Sequence, residues 1–211
     1  NRLFMPKTLN PQSGGSRPWM DFVRTLQAGR DGSWRMGGHY QMIGFNSDEV
    51  QTPNPNDPKH PYINSTVATK TYMTIFTLAS GVHPYSYHYG AGTATKGDYW
   101  KFAARYSAFL WDNRLQPVSN PDATLTVDTS KEVWWKPFVY LRNGDKGEAQ
   151  TIVHLINPPP HPIHENPKNE YPAPVESVRV QAAVPGGAKL RRAVLLTAEP
   201  QVTMTELPAK T

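Results

Sequence analysis

The sequence predicts an α/β segment followed by an all-β one: parallel βα units over residues 1–116 and an antiparallel β-sandwich over 117–211. Three observations carry this. Residues 39–113 alternate short apolar strands with helical apolar stripes, the rhythm of a parallel sheet covered by helices. From about Pro117 the period changes to two, plainest in Ser177-Val178-Arg179-Val180-Gln181. Turn residues then recur between the short strands, with Asn143-Gly144 and Pro185-Gly186-Gly187 the clearest.

Residues 1–15 are polar, contain Ser13-Gly14-Gly15 and read as a loop or arm. A short helix follows, with Ser16 as cap and Pro18 near its first turn. Trp19, Phe22, Val23 and Leu26 form its apolar face, and Gly29 is expected to end it. His39 to Phe45 reads as a strand, and Asn46-Ser47-Asp48-Glu49 follows it as a polar mouth. Thr52 to Pro61, with Pro53, Pro55 and Pro58, reads as a long loop. Thr66 to Ser80 is a helix, because Ala68, Tyr72, Ile75, Phe76 and Ala79 fall on one helical stripe. Lys70 is its one charge, so burial on more than one side is expected. Gly81 stops it, and Val82 to Tyr89 is extended and aromatic. Asp98 caps a last helix to about Asn113, with Tyr99, Phe102, Ala103, Tyr106, Phe109 and Leu110 on its stripe.

Six strands are expected in the second half: 124–127, 133–142, 149–156, 175–183, 190–197 and 201–207. Pro185-Gly186-Gly187 would join the fourth and fifth as a pair. Pro158 to Pro174 reads as a proline-rich excursion.

Composition narrows the function. Charged residues make up 18%, against about 25% in ordinary domains, while aromatic residues reach 11% and there are 21 prolines. Few charges with many aromatic rings suit a partner that is neutral, such as a sugar; a β-rich core with proline loops explains the same numbers. Net charge is +5, but the basic residues are scattered, with Lys189-Leu190-Arg191-Arg192 the densest group. That is no basic stripe, so nucleic acid is not expected as a partner. The chain has no cysteine, which removes disulfides, thiolate metal sites and cysteine nucleophiles. No apolar run reaches 18 residues, so no transmembrane segment is expected.

The order of short motifs resembles a known arrangement. A buried helix ends in Leu78-Ala79-Ser80-Gly81, and an aromatic strand carrying His83 follows. Next come Tyr99-Trp100-Lys101-Phe102, then Val133-Trp134-Trp135, then His154-Leu155-Ile156-Asn157, and last a Pro-Val-x-x-Val-x-Val strand before Pro185-Gly186-Gly187. Over about residues 35–207 this is similar to the last βα units and C-terminal β-domain of TIM-barrel glycoside hydrolases. It is most similar to the dextranase and cycloisomaltooligosaccharide glucanotransferase family. The resemblance implies a partial TIM barrel followed by an antiparallel β-sandwich, in a secreted or cell-surface carbohydrate-active protein. It also implies that the nucleophile and the acid lie upstream, so no catalytic residue is assigned here.

A barrel of that type needs eight strands and roughly 250 residues, more than this chain can supply. The missing N-terminal part of the same protein, or a neighbouring subunit, is therefore expected to cover the buried helix 66–80. The function expected is a glycoside hydrolase or transglycosylase acting on a glucan. The alternative is a non-catalytic glycan-binding or structural subunit of an extracellular assembly.

In a TIM barrel the site lies at the carboxyl ends of the strands. That selects Asp48 and Glu49 after one strand and Tyr85, Tyr87 and His88 at the end of the next as substrate-binding residues. Asp48 and Glu49 are neighbours and point apart in an extended segment, a poor pair for a reaction that needs two carboxyls flanking one bond. Either can take a sugar hydroxyl, or remain a solvated loop carboxylate. Tyrosine rings stack on sugar C–H faces, or pack at a barrel rim with satisfied hydroxyls. His161 and His164 have a metal-like spacing, but the surrounding prolines make a stiff loop with no further ligand pattern. No metal and no cofactor are expected. His154 reads as a core histidine.

Overall fold

A computed structural model describes residues 2–4, 19–35, 41–45, 52–53, 62–63, 67–86, 98–144, 148–161, 170–184 and 188–208. The chain divides into two compact units, one of Asn1–Lys96 with Pro159–Pro172 and the other of Gly97–Pro158 with Ala173–Thr211.

The first unit is built on a parallel sheet of three short strands in the order β1-β2-β5: β1 (Arg2–Phe4), β2 (Gln41–Phe45) and β5 (His83–Ser86). Met42 lies opposite His83 and Phe45 opposite Ser86, so the two strands expected from the sequence do run parallel. β1 is an addition. It pairs parallel with β2, Leu3 opposite Met42, inside the stretch expected to be a loop or arm. Three residues carry no readable period, and a strand that short is defined by its partner.

Helices link these strands. α1 (Trp19–Arg35) connects β1 to β2, and α2 (Val67–Ala79) precedes β5. α1 runs on past Gly29, where the sequence predicts its end. A tertiary contact overrides the weak propensity of glycine there: buried Arg30 donates from Nη1 to the Ser80 carbonyl at 2.7 Å and pairs through Nε with Asp31 at 2.8 Å. Between β2 and α2, the ribbon β3 (Thr52–Pro53) and β4 (Tyr62–Ile63) pairs antiparallel. It pairs the start of the segment read as a proline loop with the two residues that follow that segment.

α1 and α2 pack through aromatic rings. Trp19 meets Phe22, Tyr72 and Phe76 with ring centroids 5.4–6.3 Å apart, within the range where aromatic pairs attract. Trp19 Nε1 donates to the His161 carbonyl at 2.8 Å, and the Thr71 and Tyr171 hydroxyls lie 2.9 Å apart, tying His161 and Tyr171 into this unit. Phe76 and Met73 are fully buried, and Thr69, Thr71, Thr74 and Thr77 are buried beside them. The expectation of burial on several sides therefore holds for α2, but its cover comes from within this chain. The buried hydroxyls fit because they hydrogen-bond locally, as when Thr77 Oγ1 donates to the Met73 carbonyl at 2.7 Å.

α2 ends as the sequence predicts. Gly81 adopts φ 71°, the left-handed conformation that glycine enters without Cβ strain. Val82 N–H donates to the Thr77 carbonyl at 3.1 Å and Gly81 N–H to the Leu78 carbonyl at 3.0 Å, the paired bonds of a Schellman cap.

The second unit opens with α3 (Tyr99–Arg105) and α4 (Ser107–Leu110). Asp98 caps α3, its carboxylate accepting from Lys101 N–H at 2.9 Å. The helix expected over 98–113 is thus broken at Tyr106, whose backbone (φ −116°, ψ 24°) leaves the helical region. Seven strands follow: β6 (Leu115–Pro117), β7 (Leu125–Asp128), β8 (Val139–Asn143), β9 (Ala149–Val153), β10 (Arg179–Ala182), β11 (Ala193–Thr197) and β12 (Thr203–Leu207). All their pairings are antiparallel, in the sheets β6-β8-β9, β7-β10 and β11-β12.

Six of these strands lie where the sequence places them, and β6 is additional. The segment 133–142 is strand only from Val139. Trp134 forms an isolated bridge with Ile156, and a 3-10 turn at Lys136–Phe138 intervenes, where Pro137 has no N–H to give a ladder. The pair expected across Pro185-Gly186-Gly187 also differs: β10 pairs with β7, and β11 with β12.

Leu125, Trp135 and Val139 form a core, with Val118, Val127 and Val153 against them. Asp112 joins α4 to β8: it binds Arg114 at 2.8 Å and Arg142 at 3.3 Å, and Arg142 also donates to the Ala108 carbonyl at 2.7 Å. The chain is a mixed α/β structure of helices and small sheets, and among the described residues none of the sheets closes on itself.

Candidate functional site

Parallel pairing gives the first unit an edge on which the strands end together. Phe4 lies opposite Ile43, and Phe45 opposite Ser86, so β1, β2 and β5 deliver their carboxyl ends to the same side of the sheet. In open α/β sheets such an edge is where ligands are held, because loops of independent sequence converge over a fixed backbone.

Of the residues selected by the sequence, Tyr85 sits in β5 opposite Gly44, one position before that edge. Asp48 and Glu49 follow the end of β2 by three and four positions in sequence, and Tyr87 and His88 directly follow β5. These four lie outside the described residues, as does the side chain of Tyr85.

His83, on the same alternate face of the aromatic strand as Tyr85, starts β5 opposite Met42. It is partly buried, and burial pushes its imidazole below the ordinary histidine range. At about 3.3 Å per residue it stands roughly 10 Å from the carboxyl edge, which suits a neutral packing group better than a ligand to that edge.

The other histidines follow the same logic. His154, just past β9, meets the Tyr140 ring edge-on at 5.9 Å, and burial lowers it to about 4. It is neutral at pH 7, as a core histidine should be. His161 contributes its backbone carbonyl to Trp19; His164 and Glu165 lie outside the described residues. Among the described residues no group of three or more His, Cys, Asp or Glu could hold a metal ion.

Several described carboxylates have structural tasks. Asp21, Asp31, Asp112, Asp122 and Glu206 sit in ion pairs with arginine or lysine, and Glu148 binds Arg191. Asp98 caps α3, and Glu199 accepts from the Tyr99 hydroxyl. Glu132 differs. It is exposed, and its Oε1 accepts from the indole Nε1 of Trp134 at 2.8 Å. In the sequence Trp134 stands out only within Val133-Trp134-Trp135, and Glu132 not at all. The available signal was their spacing, since residues two apart in an extended segment share a face.

No family model matches the chain, and neither a curated protein nor a solved structure does. Among the described residues no helix is long and apolar enough to cross a membrane.

Proposed function

We propose that this chain is the C-terminal part of an extracytoplasmic, carbohydrate-active protein of the glycoside hydrolase or transglycosylase type. In this reading the first unit supplies terminal βα units of a TIM-like barrel, and the small antiparallel sheets of the second belong to a β-sandwich. A glucan is held at the carboxyl edge of β1, β2 and β5 by Asp48, Glu49, Tyr85, Tyr87 and His88. The catalytic carboxylates come from an upstream part of the same protein or from a neighbouring subunit.

The observation that carries the reading is the parallel β1-β2-β5 sheet with α1 and α2 in its connections. It supports the reading because β2 and β5, which the selected residues end or follow in sequence, finish on the same side of the sheet. Among the described residues β1 and β5 each pair on one side only. Open backbone edges of that kind favour continuation of the sheet by another segment. The extracytoplasmic location and the glucan specificity rest on the family resemblance alone.

The test is a titration of the chain with isomaltooligosaccharides, followed by residue-resolved NMR. Shifts at Phe45 and Ser86 that saturate, and that vanish in Asp48→Asn/Glu49→Gln and Tyr87→Phe/His88→Gln variants, are expected. Saturable binding untouched by all four substitutions would remove this edge as the site. A non-catalytic glycan-binding subunit is separated by assaying the intact natural protein for release of reducing ends.

A further inference from the structure

We propose that Lys189-Leu190-Arg191-Arg192 is a proteolytic processing site, cut between Arg192 and Ala193 by an endopeptidase that reads paired basic residues.

The sequence supplies the recognition element. Lysine and arginine number 22, yet Arg191-Arg192 is the single place where two of them adjoin. Lys189 adds a third charge two positions before Arg191. An endopeptidase selective for such a pattern holds each cation in an acidic pocket, where a guanidinium binds a carboxylate through two parallel hydrogen bonds.

The structure supplies access. An endopeptidase takes its substrate as an extended strand, gripped through main-chain groups, so those groups must be free in a segment that is to be cut. Residues 188–192 are all exposed and form no helix, turn or strand. Among the described residues, none of their N–H or carbonyl groups takes part in a backbone hydrogen bond. Exposed connecting segments of this kind are where proteases nick folded chains. Ala193, on the far side of the bond, opposes Leu207 in the end pair of the β11-β12 ribbon. End pairs of a two-stranded ribbon open readily, because the ribbon is itself marginal.

Several other described basic residues lack this setting. Lys101 and Arg105 lie in α3, Arg142 in β8 and Arg179 in β10, while Lys136 directly precedes Pro137. Lys131 is exposed outside any helix or strand, but it stands alone and precedes an acid, Glu132.

Both arginines are already held by carboxylates, which the pockets of the enzyme would replace. Arg191 binds Glu148, and Arg192 Nε lies 3.2 Å from Glu206 Oε2. Ion pairs this exposed contribute little, so they guard the segment weakly.

The reaction is hydrolysis. Water adds across the Arg192–Ala193 peptide bond, leaving a carboxylate on Arg192 and an ammonium group on Ala193. Residues 193–211 become a separate peptide. The ribbon is then held by noncovalent contacts, among them the Ala198 carbonyl accepting from Asp98 N–H at 3.3 Å and Glu199 accepting from the Tyr99 hydroxyl. The site uses no residue of the β1-β2-β5 edge and stands or falls separately from it.

The test is digestion of the whole folded chain by a subtilisin-type endopeptidase selective for paired basic residues, read by intact mass. Fragments 1–192 and 193–211 are expected, with Ala193 as the new N-terminus. The cut should be lost in Arg191→Gln and in Arg192→Gln, whose side chains are more than half exposed and leave the fold in place. A folded chain that stays whole, beside a peptide of residues 187–196 that is cut, overturns the proposal. So does cleavage that persists in both variants. In the natural protein, digestion after glutamate gives the peptide 177–206 where the bond is intact, since Pro200 protects Glu199. Peptides 177–192 and 193–206 in that digest are expected, and 177–206 alone overturns the proposal.

Discussion

Mild acid should weaken the second unit through His154 well before most carboxylates titrate. Burial holds this imidazole at about 4, against an ordinary value of 6.5. Between those values the unfolded chain binds a proton that the folded chain does not, so stability rises with pH across that window. The contribution is complete above about pH 6.5 and is lost as the pH falls through 4. At about 1.36 kcal/mol per pH unit the gap has a ceiling of roughly 3.4 kcal/mol. The residue keeps some exposure although its ring is desolvated, so the contribution lies below that ceiling. Urea unfolding at pH 7.0, 5.5 and 4.5 measures it, with hydrogen exchange of β8 and β9 amides as the local readout. His154→Phe keeps a ring edge-on to Tyr140 without the titration, and its stability should fall less over the same range. The slope should flatten without vanishing, because burial lowers His83 too. An identical pH slope in His154→Phe and wild type would refute the reasoning.

Three further outcomes test the packing. Gly32 lies inside α1 with nothing within 4 Å of an added Cβ, so Gly32→Ala should raise stability by about 0.5–1 kcal/mol in urea unfolding. Gly81→Ala forces a Cβ into the left-handed cap at φ 71° and should cost about 1–2 kcal/mol by the same measurement. Asp112 is held at about 2 instead of 3.8, chiefly by its hydrogen bond with Arg114. Its contribution is therefore present above about pH 3.8 and lost as the pH falls through 2. Asp112→Asn should cost about 1 kcal/mol at pH 7, discounted for half-exposed Arg114, and the two stability curves should converge near pH 2.

Legibility followed the range of the forces involved. α2 was readable because its apolar stripe, its single charge and Gly81 are all local, and β2 and β5 because short apolar runs flank it. The break at Tyr106 was invisible since the stripe from Tyr99 to Leu110 continues across it. The extra length of α1 depends on Arg30 reaching Ser80, fifty positions away, and β1 exists only beside β2. Pairing of β10 with β7 spans a similar distance, where alternation identifies each strand but not its neighbour. At the candidate edge, the sequence picked residues by their order after strands, and the parallel register supplies the shared edge. Glu132 escaped notice because its meaning lies in one indole bond.

Only Ser80, Gly81 and Val82 separate α2 from β5, and all three backbone N–H groups are tied to carbonyls of the helix's last turns. A link so short and so bonded has no slack. Sliding or rotation of α2 would be passed to His83 and along the strand to its carboxyl end, as a crank drives a rod. Substitutions deep in the helix, at Phe76 or Thr77, would thereby change the alignment of the sheet edge.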